Sequence, residues 1–329
     1  MKAKFLPYAL LALILTTIHL AEAQQPKKIP RIGVLFRGGP GGSTLEAFRQ
    51  GLHDLNYIEG KNIIIEYRFA KGNSERIPDL AADLIHKKVD LIITSGTAQA
   101  RTIQQVTTTI PILVVVTGDP VGTGLVASLA RPGGNITGFS IMSPELSGKR
   151  LELLKEAVPK ITRVGVLWDA LQPDNIHDFK TTQLAAGALG LKLQSLEVQR
   201  AEDLKGAFLV AVKQRLHALV VIGGGIINFH QKRILAFEVE NGLPAIHEDL
   251  SFAEAGGLMA YGVNVPDLFR RSATYVDKIL KGTKPADLPI QQPTKFEFVI
   301  NLKTAKQIGL TIPQSVLFRA DRVIKDAPR

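Results

Sequence analysis

The sequence predicts an α/β fold of two similar lobes, each a parallel sheet flanked by helices, joined by a hinge with a ligand cleft between them. Two observations carry this. From Arg31 onward, short β-rich runs alternate with segments of helical period, and the same order of strand motifs starts again about 130 residues later. Alternating strands and helices imply a parallel sheet covered on both faces.

In order along the chain, strands are expected at Arg31–Phe36, Asn62–Phe69, Asp90–Thr94, Ile112–Thr117 and Ile136–Ser140. Leu45, Phe48, Leu52 and Leu55 mark one helix between them, and Ile77, Leu80, Ala81, Leu84 and Ile85 another, at spacings of three and four. The second half then mirrors the first. Arg163–Trp168 repeats Arg31–Phe36 at an offset of 132, Ala218–Val221 repeats Asp90–Ile93 at 128, and Leu243–Ile246 repeats Ile110–Leu113 at 133. A joint is expected near Ser140–Pro144, and a return crossing from Gly256 to Val265. A helix over Asp267–Leu280 should then cover the first lobe. Pro285, Pro289 and Pro293 mark an extended stretch before a strand at Phe296–Ile300 and a short helix from Lys303. Lobe 1 therefore comprises residues 30–141 with about 263–290, and lobe 2 residues 142–262 with about 291–325. Repeated crossings make a hinge, and such a fold closes around ligands.

Residues 1–23 read as a cleavable signal peptide. Lys2 and Lys4 precede an apolar run from Leu6 to Leu20, and Ala21-Glu22-Ala23 offers small residues at a cleavage site. The chain has no cysteine, which excludes a lipid anchor at that site, disulfides, thiolate metal sites and thiol nucleophiles. A soluble periplasmic protein beginning at Gln24 is expected. The net charge is +10, and +9 without residues 1–23, but the basic residues are scattered and no run of five like charges occurs. That pattern fits a solvated basic surface and no nucleic-acid partner. No coiled-coil heptads are present, so a monomer is expected.

Ligands of open parallel sheets sit at the carboxyl ends of the strands. In lobe 1 those loops hold Arg37 with the glycine-rich run to Ser43, then Ser95-Gly96-Thr97, then Thr117 to Asp119. In lobe 2 they hold Asp169, Gly223-Gly224-Gly225, His247-Glu248 and Tyr261-Gly262. The glycine-rich loop lacks the Lys-Ser/Thr ending of a P-loop, so it reads as a flexible lip. Ser95 and Thr97 can cap a helix and offer donors to a carboxylate. Asp119 suits an ammonium group, so the two loops together can grip a zwitterion. Arg37 can pair with a ligand carboxylate, and Phe36, Trp168 and Tyr261 can flank an apolar ligand by stacking. Each of these residues also has a plain structural use as a cap, turn or core residue. The seven histidines lack metal-ligand spacing and no GxSxG elbow occurs. No catalytic residue, metal or cofactor is expected.

Three stretches sharpen this. Gly118-Asp119-Pro120-Val121-Gly122-Thr123-Gly124-Leu125-Val126-Ala127-Ser128-Leu129, followed by Ala130 to Gly138, resembles the tryptophan/tyrosine-type ABC transporter substrate-binding family, as does Lys149–Pro159. The tail from Gln292 through Ile300-Asn301-Leu302-Lys303-Thr304-Ala305 to Pro313 is similar to the C-terminal signature of that family. The resemblance implies a type I periplasmic binding protein that delivers a small molecule, such as an aromatic or other amino acid, to an inner-membrane permease and its ATPase. Gly223–Asn228 and His247-Glu248 depart from the family pattern at the cleft edge of lobe 2. Two rival readings remain: an exported sensor module, and a sugar- or nucleoside-binding protein of the same fold.

Overall fold

The computed structural model describes residues 28–39 and 42–325. The expected signal peptide over residues 1–23 lies outside the described residues. The first sheet grows from β1 (Arg31–Phe36), where Ile32, Val34 and Leu35 are wholly buried. A parallel strand covered on both faces needs a run of apolar residues rather than an alternation, and this run meets that need. After α1 (Ser43–Asp54) come β2 (Ile64–Phe69), α2 (Ile77–His86), β3 (Leu91–Ser95), α3 (Thr97–Val106), β4 (Ile112–Thr117) and β5 (Ile136–Ser140). The five strands are parallel, in the order β2-β1-β3-β4-β5.

The chain then builds the second sheet. Its elements are α4 (Ser143–Ala157), β6 (Arg163–Asp169), α5 (Pro173–Ala188), β7 (Lys192–Val198), α6 (Asp203–Lys213) and β8 (Ala218–Val221). There follow α7 (Gly225–Phe229), α8 (Gln231–Glu240), β9 (Ala245–His247), α9 (Leu250–Glu254) and β10 (Met259–Gly262). These strands run β7-β6-β8-β9-β10, the order of the first sheet repeated, so the sequence repeat is a repeat of topology.

From β10 the chain returns to lobe 1 as α10 (Val265–Leu280). The Asn264 side chain caps it by accepting from the Asp267 amide at 3.1 Å. Leu268, Phe269, Ala273, Tyr275, Val276 and Ile279 line its buried face, in one cluster with Phe48 and Leu52 of α1. The two helices approach closely at Gly51, where an added Cβ would stand 2.2 Å from the Arg270 carbonyl oxygen.

The last segment crosses back and gives β11 (Glu297–Asn301), α11 (Leu302–Gln307), α12 (Gln314–Leu317) and β12 (Arg322–Ile324). β11 is antiparallel to β10, with Gly262 opposite Glu297 and Met259 opposite Ile300. The second sheet is thus parallel but for this one pair. The chain re-enters lobe 2 at the hinge end of β10, so it must run back along that strand and needs no crossover helix.

Three strands of chain thus join the lobes, near 141–142, 263–264 and 292–296. The first and third lie side by side, since Gln291 pairs with the β5 edge through Gln291 N–H to Gly138 O (2.9 Å) and Ser140 N–H to Gln291 O (2.8 Å).

Candidate functional site

The carboxyl ends of both sheets face each other across the lobe boundary. Arg37 follows β1 and Asp169 ends β6, the equivalent strands of the two lobes. Their side chains meet at 2.6 Å, with Arg37 only 7% exposed and Asp169 sealed from solvent. Asp169 also accepts from the amides of Leu171 (3.1 Å) and Ile226 (3.2 Å). The glycine run after β8 makes room for this pair. A Cβ on Gly224 would lie 2.6 Å from the Asp169 Cβ, and one on Gly225 would lie 2.2 Å from Arg37 Cδ. The guanidinium is half-used: Nε and Nη2 of Arg37 are buried without a hydrogen-bond partner. A buried donor left unpaired costs about 1–3 kcal/mol, so this side chain invites an acceptor.

A second set of contacts runs from the start of α5 to lobe 1. Gln172 Oε1 accepts from the Ala98 amide at 3.4 Å, Asp174 Oδ1 from the Asp119 amide at 2.9 Å, and Asp119 Oδ2 faces His177 Nδ1 at 3.1 Å. Burial raises the Asp174 pKa, against the pull of the Thr97 hydroxyl and the Asp119 and Gly118 amides, which favour the carboxylate. With Phe229 packed over Gly72 at the rim, these contacts shut the cleft.

Of the residues expected from sequence, Arg37, Ser95, Gly96, Thr97, Thr117, Asp119, Asp169 and Gly223 gather at this boundary. Thr97 and Thr117 are buried with their hydroxyls 3.2 Å apart. Asp119 spends its other oxygen on the Gly122 amide at 2.7 Å. Ser43 is exposed in the first turn of α1. The aromatic residues go elsewhere. Phe36 packs edge-on to Phe269 at 5.5 Å within lobe 1, and Trp168 stacks on Phe179 at 5.6 Å and donates to Ser195 Oγ at 2.9 Å within lobe 2. Tyr261 lies against Phe296 and Phe298 beside the hinge. His247 is fully buried, stacked on Phe252 and 3.2 Å from Glu238.

Sequence reasoning passed over Gln172, Asp174 and His177. A signal was available: a helix start needs one cap, yet residues 172–178 carry five polar side chains around Pro173. It also passed over a buried polar cluster behind the hinge. There Glu248 accepts from the Ser143 hydroxyl and from the Gly223 amide (2.6 Å). Arg150, 1% exposed, lies 3.6 Å from Glu248 and donates to the Tyr261 carbonyl (2.9 Å) and Ser147 Oγ (3.3 Å). Ser147 in turn donates to Asp178 Oδ1 at 3.0 Å, while Asp178 Oδ2 has no partner. Burial, then the Glu248 charge, push the Asp178 carboxyl well above the usual range despite the opposing pull of Arg150.

Folded Asp178 therefore holds its proton to a higher pH than the unfolded chain does. The folding cost grows as pH rises above the ordinary carboxylate range and levels off past the raised value. Asp178→Asn keeps an acceptor for Ser147 and should raise the melting temperature at pH 8 but not at pH 4. The gain should grow by at most about 1.4 kcal/mol per pH unit. A difference that stays constant with pH would show that no such proton is held.

Comparison with known proteins agrees with this architecture. A family model described as ABC transporter substrate binding protein matches residues 41–324. The tyrosine-binding protein of Clostridioides difficile (strain R20291) is 28% identical over 273 residues, covering 80% of this chain and 76% of that protein. The structure of an ABC domain in complex with L-Trp from Streptococcus pneumonia is 25% identical and superposes with a TM-score of 0.83, covering 90% of this chain and 99% of that one. The ligand-free, open structure of a substrate-binding protein with adhesive properties from Clostridium difficile is 24% identical, with a TM-score of 0.61 over 91% of this chain and 100% of that one.

Proposed function

Because the chain belongs to the ABC transporter substrate-binding protein family, we propose that it is the exported solute-binding component of an importer, capturing an amino acid, aromatic or other, by lobe closure. Members of this family bind small-molecule ligands, work with ABC permease components and are not enzymes. The family is typically extracytoplasmic, and among the described residues no helix is long and apolar enough to cross a membrane. The features of residues 1–23 support export to the periplasm, the lack of cysteine supports release without a lipid anchor, and the lack of coiled-coil heptads supports a monomer.

One observation carries the ligand class. Arg37 sits at the meeting point of the two lobes, buried, with Nε and Nη2 unpaired beside the Asp169 contact. A carboxylate on the solute can satisfy these donors with a charge-assisted bond, taken up while the lobes are apart and sealed in as they close. Contacts made to both lobes favour the closed state by their differential free energy. The permease then recognises two outer surfaces brought into one fixed relation, and its ATPase drives release inward. The relatives add support: one is described as tyrosine-binding, another was solved with L-Trp.

Residues 24–329, unfolded and refolded to remove carried solute, should be screened by thermal shift against the twenty amino acids, common sugars, nucleosides and small carboxylates. A solute at a hundred times its dissociation constant adds about 2.7 kcal/mol, a rise of roughly 5 °C or more for domains of this size. We expect that rise with an amino acid. A shift with neutral sugars or nucleosides alone, or silence across the panel, would overturn the amino-acid reading.

A further inference from the structure

We infer that Asp174 is a built-in ligand of lobe 1: on closure, lobe 2 inserts this carboxylate into the donors that lobe 1 presents between β3 and β4, and thereby latches the cleft. The donor it engages is the Asp119 amide after β4, at 2.9 Å, beside the Gly118 backbone. Asp174 reaches it from the first turn of α5 and is 6% exposed. The fit is close: an added Cβ on Gly118 would stand 2.8 Å from the Asp174 Cβ, so a larger residue there would hold the lobes apart.

Two neighbours act in the same direction. Gln172, two residues before, binds the Ala98 amide, and His177, one turn after, faces Asp119. Residues 174 and 177 share a helix face, so one rigid element delivers both. In an open protein these lobe 1 donors face water. Closure exchanges that water for a carboxylate already tethered to the other lobe.

The consequence reaches the solute. With the latch shut, the Asp119 amide is taken by Asp174, the Thr97 hydroxyl is spent on Thr117, and Asp119 has one oxygen on its own Gly122 and the other near His177. A solute carboxylate is thus excluded from the β3 and β4 loops and directed to Arg37. That last step rests on the proposed capture of an amino acid; the latch itself does not.

The chain has no cysteine, so two introduced ones can be labelled cleanly. Glu75→Cys in lobe 1 and Lys232→Cys in lobe 2 are exposed and flank the rim where Gly72 meets Phe229. Energy transfer between fluorophores there reports closure with no solute present. Adding Asp174→Ala should lower the transfer efficiency, and Asp174→Asn, which retains an acceptor, should lower it less. The melting temperature should stay within about 2 °C, since Asp174 lies at a boundary that can hydrate. Equal transfer in the parent and Asp174→Ala proteins would overturn the latch. A latch that opens on mutation, in a protein that no amino acid stabilises, would instead leave the latch standing and remove the amino-acid reading.

Discussion

Arg150→Met should lower the unfolding free energy of lobe 2 by about 3–5 kcal/mol, the usual effect of breaking a buried ion pair from one side. Arg150 is 1% exposed, and Glu248 stands 3.6 Å away at 9%. Removing the guanidinium leaves the Glu248 carboxylate with only the Ser143 hydroxyl and the Gly223 amide, and leaves the Tyr261 carbonyl without its donor. Methionine fills much of the volume, so the loss is electrostatic rather than a cavity effect. Arg150 also ties together two lobe 2 segments beside the hinge, Ser143 just after the first crossing and Tyr261 just before the second. Denaturant titration followed by Trp168 fluorescence reads the loss directly. The double variant with Glu248→Gln should recover part of it, because no charge is then stranded. Additive losses would mean that the pair is not coupled.

Arg37→Met should behave in the opposite way, costing binding rather than folding. Truncating one partner of a buried charge pair across an interface costs about 2–5 kcal/mol. Affinity for the stabilising amino acid should therefore fall on the order of a hundredfold, about 2.7 kcal/mol. The ligand-free melting temperature should barely move, since the lobes can part and let Asp169 hydrate. Arg37→Lys should fall between, keeping the charge but losing the planar fork that serves Asp169 and a second acceptor together. Calorimetry giving the parent affinity for Arg37→Met would refute its role in holding the solute.

The contrast between these two arginines shows what a sequence carries and what it does not. Apolar runs such as Arg31–Phe36 disclosed both sheets and their repetition, because a strand buried on two faces has few other compositions. β7 and β12 were harder to see. They lie at the edges of the second sheet, where half-exposed positions admit polar residues such as Lys192, Gln194 and Arg322. The direction of β11 left no mark, since strand period is the same either way.

At the site, strand ends were legible because parallel topology decides where loops gather. Side-chain direction was not. Trp168 and Asp169 are neighbours in β6, yet successive residues point to opposite sides, so one packs on Phe179 and the other meets Arg37. The reach of Gln172, Asp174 and His177 into the other lobe depends on how the lobes meet, which no local pattern encodes.

The interleaving of the two lobes also fixes the order in which a growing chain can finish them. All five strands of the first sheet are present by Ser140, but the helix that covers α1, β4 and β5 is Val265–Leu280. The second sheet still awaits β11 and β12, which end at Ile324. A nascent chain of 260 residues thus lacks the helix that covers the first sheet and two strands of the second, so the first lobe is covered only once Leu280 has been made and the second completed only after Ile324. The first lobe can therefore settle before the second, and loss of β12 should unsettle the second lobe while sparing the first.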